Sequence, residues 1–281
     1  MTLDTQELQA IAPRVEEIAR EAGQILMGHQ SRFRSVRTEF KGLRELVTAA
    51  DRESEKFIVE RLMLDHPEHA ILAEEGVLTP QGSPSKDAEH VWILDPLDGT
   101  TNFVHGIPFY CVAICLAYRD EPVLGVIHAP ALDVTFSAVR GGGAYRNGER
   151  VTVSSTAKLA DAVLCTGFSY DRHEPGVEDN SARLSKILPL CRDLRRLGSA
   201  ELDLCLTAAG NCDGFWEMYL QPYDVAAGAL LVREAGGRVT DLEGGGDWLH
   251  GGQILASNGH LHDEVLRIIG GHPGAFSDGA S

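Results

Sequence analysis

Apolar residues near the start of the chain recur at steps of three and four: Leu8, Ile11, Val15, Ile18, Ala22, Ile25 and Leu26. That spacing lines one face of a coil with 3.6 residues per turn, so it predicts an amphipathic helix. A second helix is expected to begin near Ala49-Ala50-Asp51, to bury Phe57, Ile58 and Leu62, and to stop before His66-Pro67. Residues 70–73 then read as a short buried strand that delivers Glu74 and Glu75 at its C-terminal end. After a loop over 79–89 rich in Pro, Gly and Ser, residues 91–94 form a second such strand delivering Asp95.

The pattern then changes to β-rich runs over 111–118, 123–128 and 134–139, punctuated by Pro122 and Pro130. Gly141-Gly142-Gly143 followed by Asn147-Gly148 reads as hairpin punctuation, with Asn-Gly suited to a type I′ turn. A phosphate-cradling glycine loop is the sharper reading of the triplet, but neither GxGxxG nor GxxxxGK[ST] is matched. Past residue 155 the text alternates: strands over 162–166, 194–197, 214–218, 238–241 and 253–256, helices over 181–191, 199–209, 224–235 and 260–269. The fold class is therefore α/β, with an α+β N-terminal half and a layered α/β C-terminal half. Domains are expected over 1–150 and 151–272, followed by a flexible Gly-rich tail over 273–281.

A chain of 281 residues with 43% hydrophobic residues can build a substantial core without disulfides. Cys111, Cys115, Cys165, Cys191, Cys205 and Cys212 form no CxxC pair and lie in or beside apolar stretches, so they read as reduced core thiols. No apolar run approaches the roughly 20 residues that span a bilayer. The opening Met1-Thr2-Leu3-Asp4 has no signal-peptide character, so the expected location is cytoplasmic. The formal charge of −16 argues against nucleic-acid and anionic-membrane partners. It also repels anionic substrates, unless bound cations supply local positive charge.

Candidate chemistry centres on Asp95-Pro96-Leu97-Asp98-Gly99-Thr100-Thr101. Two carboxylates three apart, with proline stiffening the turn, can converge on one point. Carboxylate and carbonyl oxygens are the hard ligands magnesium takes, and the Leu97 carbonyl is a plausible extra donor. Gly99 lets a substrate approach the backbone. If Thr100 and Thr101 open a short helix, their N–H groups favour an anion, and Gly106 and Pro108 keep that helix short. Read alone, DxxDG is often only a turn. Glu74 changes this, because it follows a short apolar strand as Asp95 does, and parallel neighbours would set both at one sheet edge. Hydrolysis of a phosphate monoester needs accelerations approaching ~10²¹. A side-chain general base supplies about 10²–10⁴ of that, so divalent ions are the natural addition. No CxxxxxR loop supports a phosphocysteine route.

Residues 92–103, Trp92-Ile93-Leu94-Asp95-Pro96-Leu97-Asp98-Gly99-Thr100-Thr101-Asn102-Phe103, resemble the leading signature of the inositol monophosphatases. These belong to a wider lithium-sensitive, magnesium-dependent sugar-phosphatase superfamily. Pro222-Tyr223-Asp224-Val225-Ala226-Ala227-Gly228, continuing through Glu234-Ala235-Gly236-Gly237, is similar to the C-terminal signature. Leu197-Gly198-Ser199-Ala200 and Phe215-Trp216-Glu217-Met218 fit between them, and the likeness runs over about 8–269. It implies an αβαβα sandwich, as in inositol monophosphatase and fructose-1,6-bisphosphatase, and a homodimer.

The resemblance further implies two or three Mg2+ ions. Glu74, Asp95 and the Leu97 carbonyl would hold the first; Asp95, Asp98 and Asp224 the second; Glu74 with water a weaker third. The catalytic residues would be Glu74, Thr100 and Asp51, orienting a metal-activated water. Phosphate would sit on the N–H groups of Gly99 and Thr100. The hydroxyls of a small phosphorylated polyol would meet Asp98, Gly198, Ser199, Ala200 and Glu217, close to Asp224. Asp51 alone also reads as a first-turn helix acid, and Asp224 alone as a helix N-cap. The departures are Leu97 for isoleucine, Tyr223 for tryptophan, Glu45 for aspartate, and the charged Glu201 beside the expected substrate wall. His105, just behind the signature, is a weaker general-acid candidate.

Glu217 in an apolar strand favours inositol 1-phosphate as substrate. Histidinol phosphate, fructose 1,6-bisphosphate and nucleotide 3′-phosphates are the alternatives within the superfamily. A regulatory partner-binding protein that kept the fold is the alternative of another class.

Overall fold

The computed structural model describes residues 4–33, 40–76, 88–169, 177 and 180–270, with backbone only at 32–33 and 40–47. The expected tail over 273–281, most of the 79–89 loop and the Glu45 side chain lie outside the described residues.

Helix α1 (Thr5–Phe33) buries the predicted stripe, with Leu8, Val15, Ile18, Ala22 and Leu26 at most 1% exposed. Helix α2 (Phe40–Asp65) begins nine residues before the expected start. Phe40, Leu43, Leu46, Val47 and Ala50 repeat at helical steps, and Gly42 disguises the pattern. Asp51 therefore sits mid-helix, which overturns its reading as a first-turn acid. Both helices cover one face of a seven-stranded sheet running in chain order: β1 (Ala70–Ala73), β2 (His90–Asp98), β3 (Cys111–Tyr118), β4 (Glu121–Ala129), β5 (Val134–Val139), β6 (Gly143–Arg146) and β7 (Glu149–Val151). Strands β1 and β2 are parallel, and every other pair is antiparallel.

The β6–β7 turn has Asn147 at φ 49° and Gly148 at φ 81°, the two positive values of a type I′ hairpin. The glycine triplet turns β5 into β6. Its Gly141 and Gly143 N–H groups donate to the Glu234 carboxylate at 2.9 Å each, so they are not a phosphate cradle.

The second sheet has the order β11 (Arg238–Thr240), β12 (Gln253–Ser257), β10 (Gly214–Met218), β8 (Val163–Thr166), β9 (Asp193–Arg195). Helices α5 (Ala200–Ala208) and α6 (Ala226–Glu234) lie between the two sheets. Helices α4 (Ser181–Ile187) and α7 (His262–Ile269) cover the outer face. The layers run αβαβα, as the signatures implied. All six cysteines are free; Cys191 alone is only partly buried, and the Sγ atoms of Cys165 and Cys212 lie 3.1 Å apart.

The middle helix layer is packed to contact. A Cβ on Gly228 would sit 2.5 Å from Leu204 Cβ and 2.6 Å from Glu201 Oε2. Glu201 is fully buried and accepts the N–H groups of Ala227 (3.2 Å) and Gly228 (2.5 Å). It ties α5 to the start of α6 and does not face substrate, which corrects the expectation from sequence. Gly228→Ala is expected to destabilise the fold by about 1–3 kcal/mol through overpacking, read as a lower urea midpoint at unchanged m-value.

Candidate active site

The parallel pairing of β1 with β2 runs to Ala73 opposite Leu94. One residue on, Glu74 leaves β1 beside Asp95, which is still paired with Ala113 of β3. Strand β2 does not stop at Leu94 as expected. It continues to Asp98 through a register shift opposite β3, where Pro96, which has no N–H, interrupts the ladder. Asp95 Oδ1 accepts the Leu97 N–H at 2.8 Å, which folds the turn back on itself.

Gly99 then adopts φ 92°, and an added Cβ would meet the Phe109 carbonyl at 3.0 Å, so glycine is required twice over. Helix α3 (Thr100–His105) follows and ends at Gly106, φ 70°. The Thr100 hydroxyl donates to the Leu97 carbonyl at 3.1 Å, and no hydrogen bond joins it to Asp51.

The second half of the chain closes the site. Asp98 accepts the Ser199 hydroxyl (2.5 Å), the Glu201 N–H (2.9 Å) and the Ala200 N–H (3.3 Å), binding β2 to the first turn of α5. Ser199 and Ala200 are thus turned toward Asp98. Asn102, absent from the candidates above, donates to the carbonyls of Phe109 (2.7 Å), Leu197 (2.8 Å) and Gly198 (3.3 Å). It clamps the 197–198 wall onto the signature loop.

Asp224 lies in a short 3₁₀ turn (Pro222–Asp224) and accepts the Gln221 N–H at 2.6 Å. The N-cap of α6 is Val225, so Asp224 does not cap that helix. Glu217 projects from β10 against Gly167, where a Cβ would meet its Oε2 at 1.9 Å.

A cleft of about 1040 Å³ collects these groups. Glu74, Asp95, Leu97, Asp98, Gly99 and Thr100 line it from one half, and Gly198, Ser199, Ala200, Glu217 and Asp224 from the other. His105 is exposed on the last turn of α3 and does not line the cleft. Asp51 lies behind Glu74 in α2, within one helical turn of Ser54 and Glu55. Ser54 donates to the Pro96 carbonyl (3.2 Å), and Glu55 accepts the Glu75 N–H (2.7 Å). Ser54 and Glu55 were not candidates from sequence. A signal existed: residues 51, 54, 55, 58 and 62 share one helix face, which turns from apolar to polar toward the site.

So many acids in one place cannot all ionise unaided. Burial lifts Asp51 to about 8, with Glu74, Glu75 and Glu55 adding repulsion. Burial also lifts Glu74, which opens onto the cleft, to about 7; the Asp95 hydrogen bond opposes this, and Glu75 and Asp98 add to it. Asp224 rises to about 7 by burial, opposed by the Gln221 N–H and reinforced by Asp98 and Glu74. Asp95 stands well above the usual carboxylate range through burial and then Glu74, Asp98 and Asp224. Glu217 reaches about 8 through burial, with Arg196 pulling it back.

Asp51 Oδ1 is buried with no hydrogen-bond partner. An orphaned acid oxygen behind a cluster of crowded, hard oxygen donors fits a site for divalent cations. The hydrogen bonds already made to Asp98 and to the Leu97 carbonyl leave lone pairs free on each.

A five-layer α/β fold with a carboxylate-lined cleft between its sheets defines a class of metal-dependent hydrolase. The family model described as the inositol monophosphatase family matches residues 4–273. The chain belongs to that family of phosphatases. It is 41% identical to the Nus factor SuhB of Vibrio cholerae, over 89% of this chain and 92% of that protein. It is 39% identical to the inositol-1-monophosphatase of Rhizobium meliloti, over 93% and 94%. Among solved structures, the inositol monophosphatase of Anabaena superposes with TM-score 0.83 at 39% identity, covering 93% of this chain and 95% of that one. No helix among the described residues is long and apolar enough to cross a membrane.

Proposed function

We propose that the chain is a magnesium-dependent phosphomonoesterase acting on inositol 1-phosphate or a closely related polyol phosphate. The observation that carries this reading is the convergence of Glu74, Asp95, Asp98, Asp224 and the Leu97 carbonyl on one cleft. Glu74, Asp95 and Leu97 would hold one ion, Asp95, Asp98 and Asp224 a second, and Glu74 a weaker third. Bound there, the ions would neutralise the phosphate dianion and make water nucleophilic at neutral pH.

The chain's own residues do the rest. The N–H groups of Gly99 and Thr100 receive phosphate oxygens. Glu74, which opens onto the cleft, would orient that water beside the ions it holds. The Thr100 hydroxyl donates to Leu97, which leaves its oxygen to accept a hydrogen bond from that water. Asp51, behind Glu74 and lifted to about 8 by burial, is assigned a positioning part behind that water and not a charge. Glu217 and Asp98 accept hydroxyls of the polyol, beside the wall of Gly198, Ser199 and Ala200. The reading includes a cytoplasmic homodimer without nucleic-acid or membrane partners.

The Vibrio relative named a Nus factor motivates a second reading, a regulatory partner-binding protein that kept the fold. Four intact acids favour the enzyme, because a scaffold has no use for them. A substrate panel tests the finer claim. With magnesium present, kcat/KM is expected to be highest for inositol 1-phosphate, against fructose 1,6-bisphosphate, histidinol phosphate and a nucleoside 3′-phosphate. A preference for fructose 1,6-bisphosphate would overturn the substrate assignment.

A further inference from the structure

At the end of β1 and β2 away from the cleft, three imidazoles stack. The His66 and His69 rings lie 4.9 Å apart and 7° from parallel. His90 lies on the other side of His69, at 4.7 Å and 14°. Trp92 tilts against His66 at 5.6 Å and His69 at 6.0 Å, and Tyr118 packs on His90 at 4.9 Å.

The stack is incompletely satisfied. The His69 side chain is only 6% exposed, and its Nδ1 is buried without a hydrogen-bond partner, as is Nε2 of His90. Leaving a buried polar nitrogen unpaired costs about 1–3 kcal/mol, so each such atom calls for a reason. Glu68, on the solvent side, places Oε1 3.3 Å from His69 Nε2. One donor atom from each of His66, Glu68 and His69 lies within 4.8 Å of the others.

We propose that His66, Glu68 and His69 form a second metal site, for a borderline-soft divalent ion such as zinc. Two imidazoles and one carboxylate are a zinc donor set, whereas the hard oxygens of the cleft suit magnesium. His90 backs His69 and takes no ligand position. His69 and Glu74 are five residues apart along β1, roughly 16 Å at ~3.3 Å per residue, so the two sites are separate. The ion closes the turn that joins α2 to β1, the elements that carry Asp51 and Glu74. It therefore acts as a structural clamp on the acid cluster from behind.

The test is equilibrium dialysis of the full chain against zinc in excess magnesium, with bound zinc counted by mass spectrometry. Wild type and an Asp95→Asn, Asp224→Asn double variant are both expected to retain one zinc per chain. Glu68→Gln and His66→Gln, at accessible positions, are expected to weaken that zinc at least about tenfold. Cobalt substitution is expected to give visible absorption bands that His66→Gln removes. Melting in EDTA checks folding; if His66→Gln melts early, the exposed Glu68→Gln decides alone. Zinc uptake unchanged in Glu68→Gln, uptake lost in the cleft double variant, or no uptake by wild type would each overturn the proposal.

Discussion

Asp95→Asn is expected to lower kcat/KM for phosphate release by about 10³-fold or more, and to raise the melting temperature of the metal-free protein. The two effects have one cause. Asp95 is 2% exposed and surrounded by Glu74, Asp98 and Asp224, so without cations its charge is a liability to the fold. Asparagine keeps the oxygen that accepts the Leu97 N–H and leaves the turn intact. What it loses is the negative charge shared by two of the assigned ion sites. Activity falls because the ions are not held, while repulsion in EDTA is relieved. The stabilisation that magnesium gives the wild type should shrink in the variant. Steady-state kinetics with melting curves in EDTA and in magnesium read all three quantities. A variant that loses activity and also melts earlier in EDTA would indicate structural damage instead.

In EDTA the protein is also expected to lose stability as pH rises from about 6.5 to about 8.5. Asp51 and Glu217 have folded pKa values near 8, and Glu74 and Asp224 near 7, all above their ordinary values. An acid raised by folding gives stability that is complete below its unfolded pKa and disappears as pH climbs through the folded one. His69 and His262 act in the opposite sense. Both are held down at about 4, so their contribution is present above about 6.5 and lost toward acid. Between about 4.5 and 6.5 the two histidines offset only part of the loss from the four acids, and above that only the acids change. From pH 6.5 to about 8 the buried acids Asp51 and Glu217 would each give up about 2 kcal/mol, on the order of 4 kcal/mol together, or about 8–16 °C in melting temperature. If magnesium is the ion held there, it would bind the ionised acids, so its stabilising effect should grow over the same range. A melting temperature in EDTA that is flat or rising from pH 6.5 to 8.5 would contradict this reading of the cleft.

Much of this was legible in the sequence because its signals were local. The apolar steps of α1, the strand texts of β3, β5 and β10 and the Asn147-Gly148 turn each carry their own periodicity or turn chemistry. Glu74 and Asp95 were legible as a pair, since each follows a short apolar strand and parallel pairing sets them together. What the sequence hid depended on tertiary contact. The start of α2 was masked by Gly42, and with it the mid-helix position of Asp51. Glu201 looked like a surface charge near substrate, because nothing local reveals that it receives two N–H groups of α6. Asn102 is one polar residue in a short helix, and its three carbonyl partners lie as far as 96 positions away. Ser199 and Ala200 line the cleft and also donate to Asp98, a second part that nothing local in the sequence revealed.

The most direct measurement of the central claim is phosphate release from inositol 1-phosphate by wild type and Asp98→Asn, titrated with magnesium and then stripped with EDTA. Asp98 is assigned both as a magnesium ligand and as a contact of the polyol. The account predicts saturable magnesium dependence in wild type, abolition by EDTA, and recovery on adding the ion back. Asp98→Asn should fall by about 10²-fold or more, with its magnesium requirement moved to higher concentration. Equal activity in the two proteins, or release by wild type that EDTA leaves untouched, would contradict it.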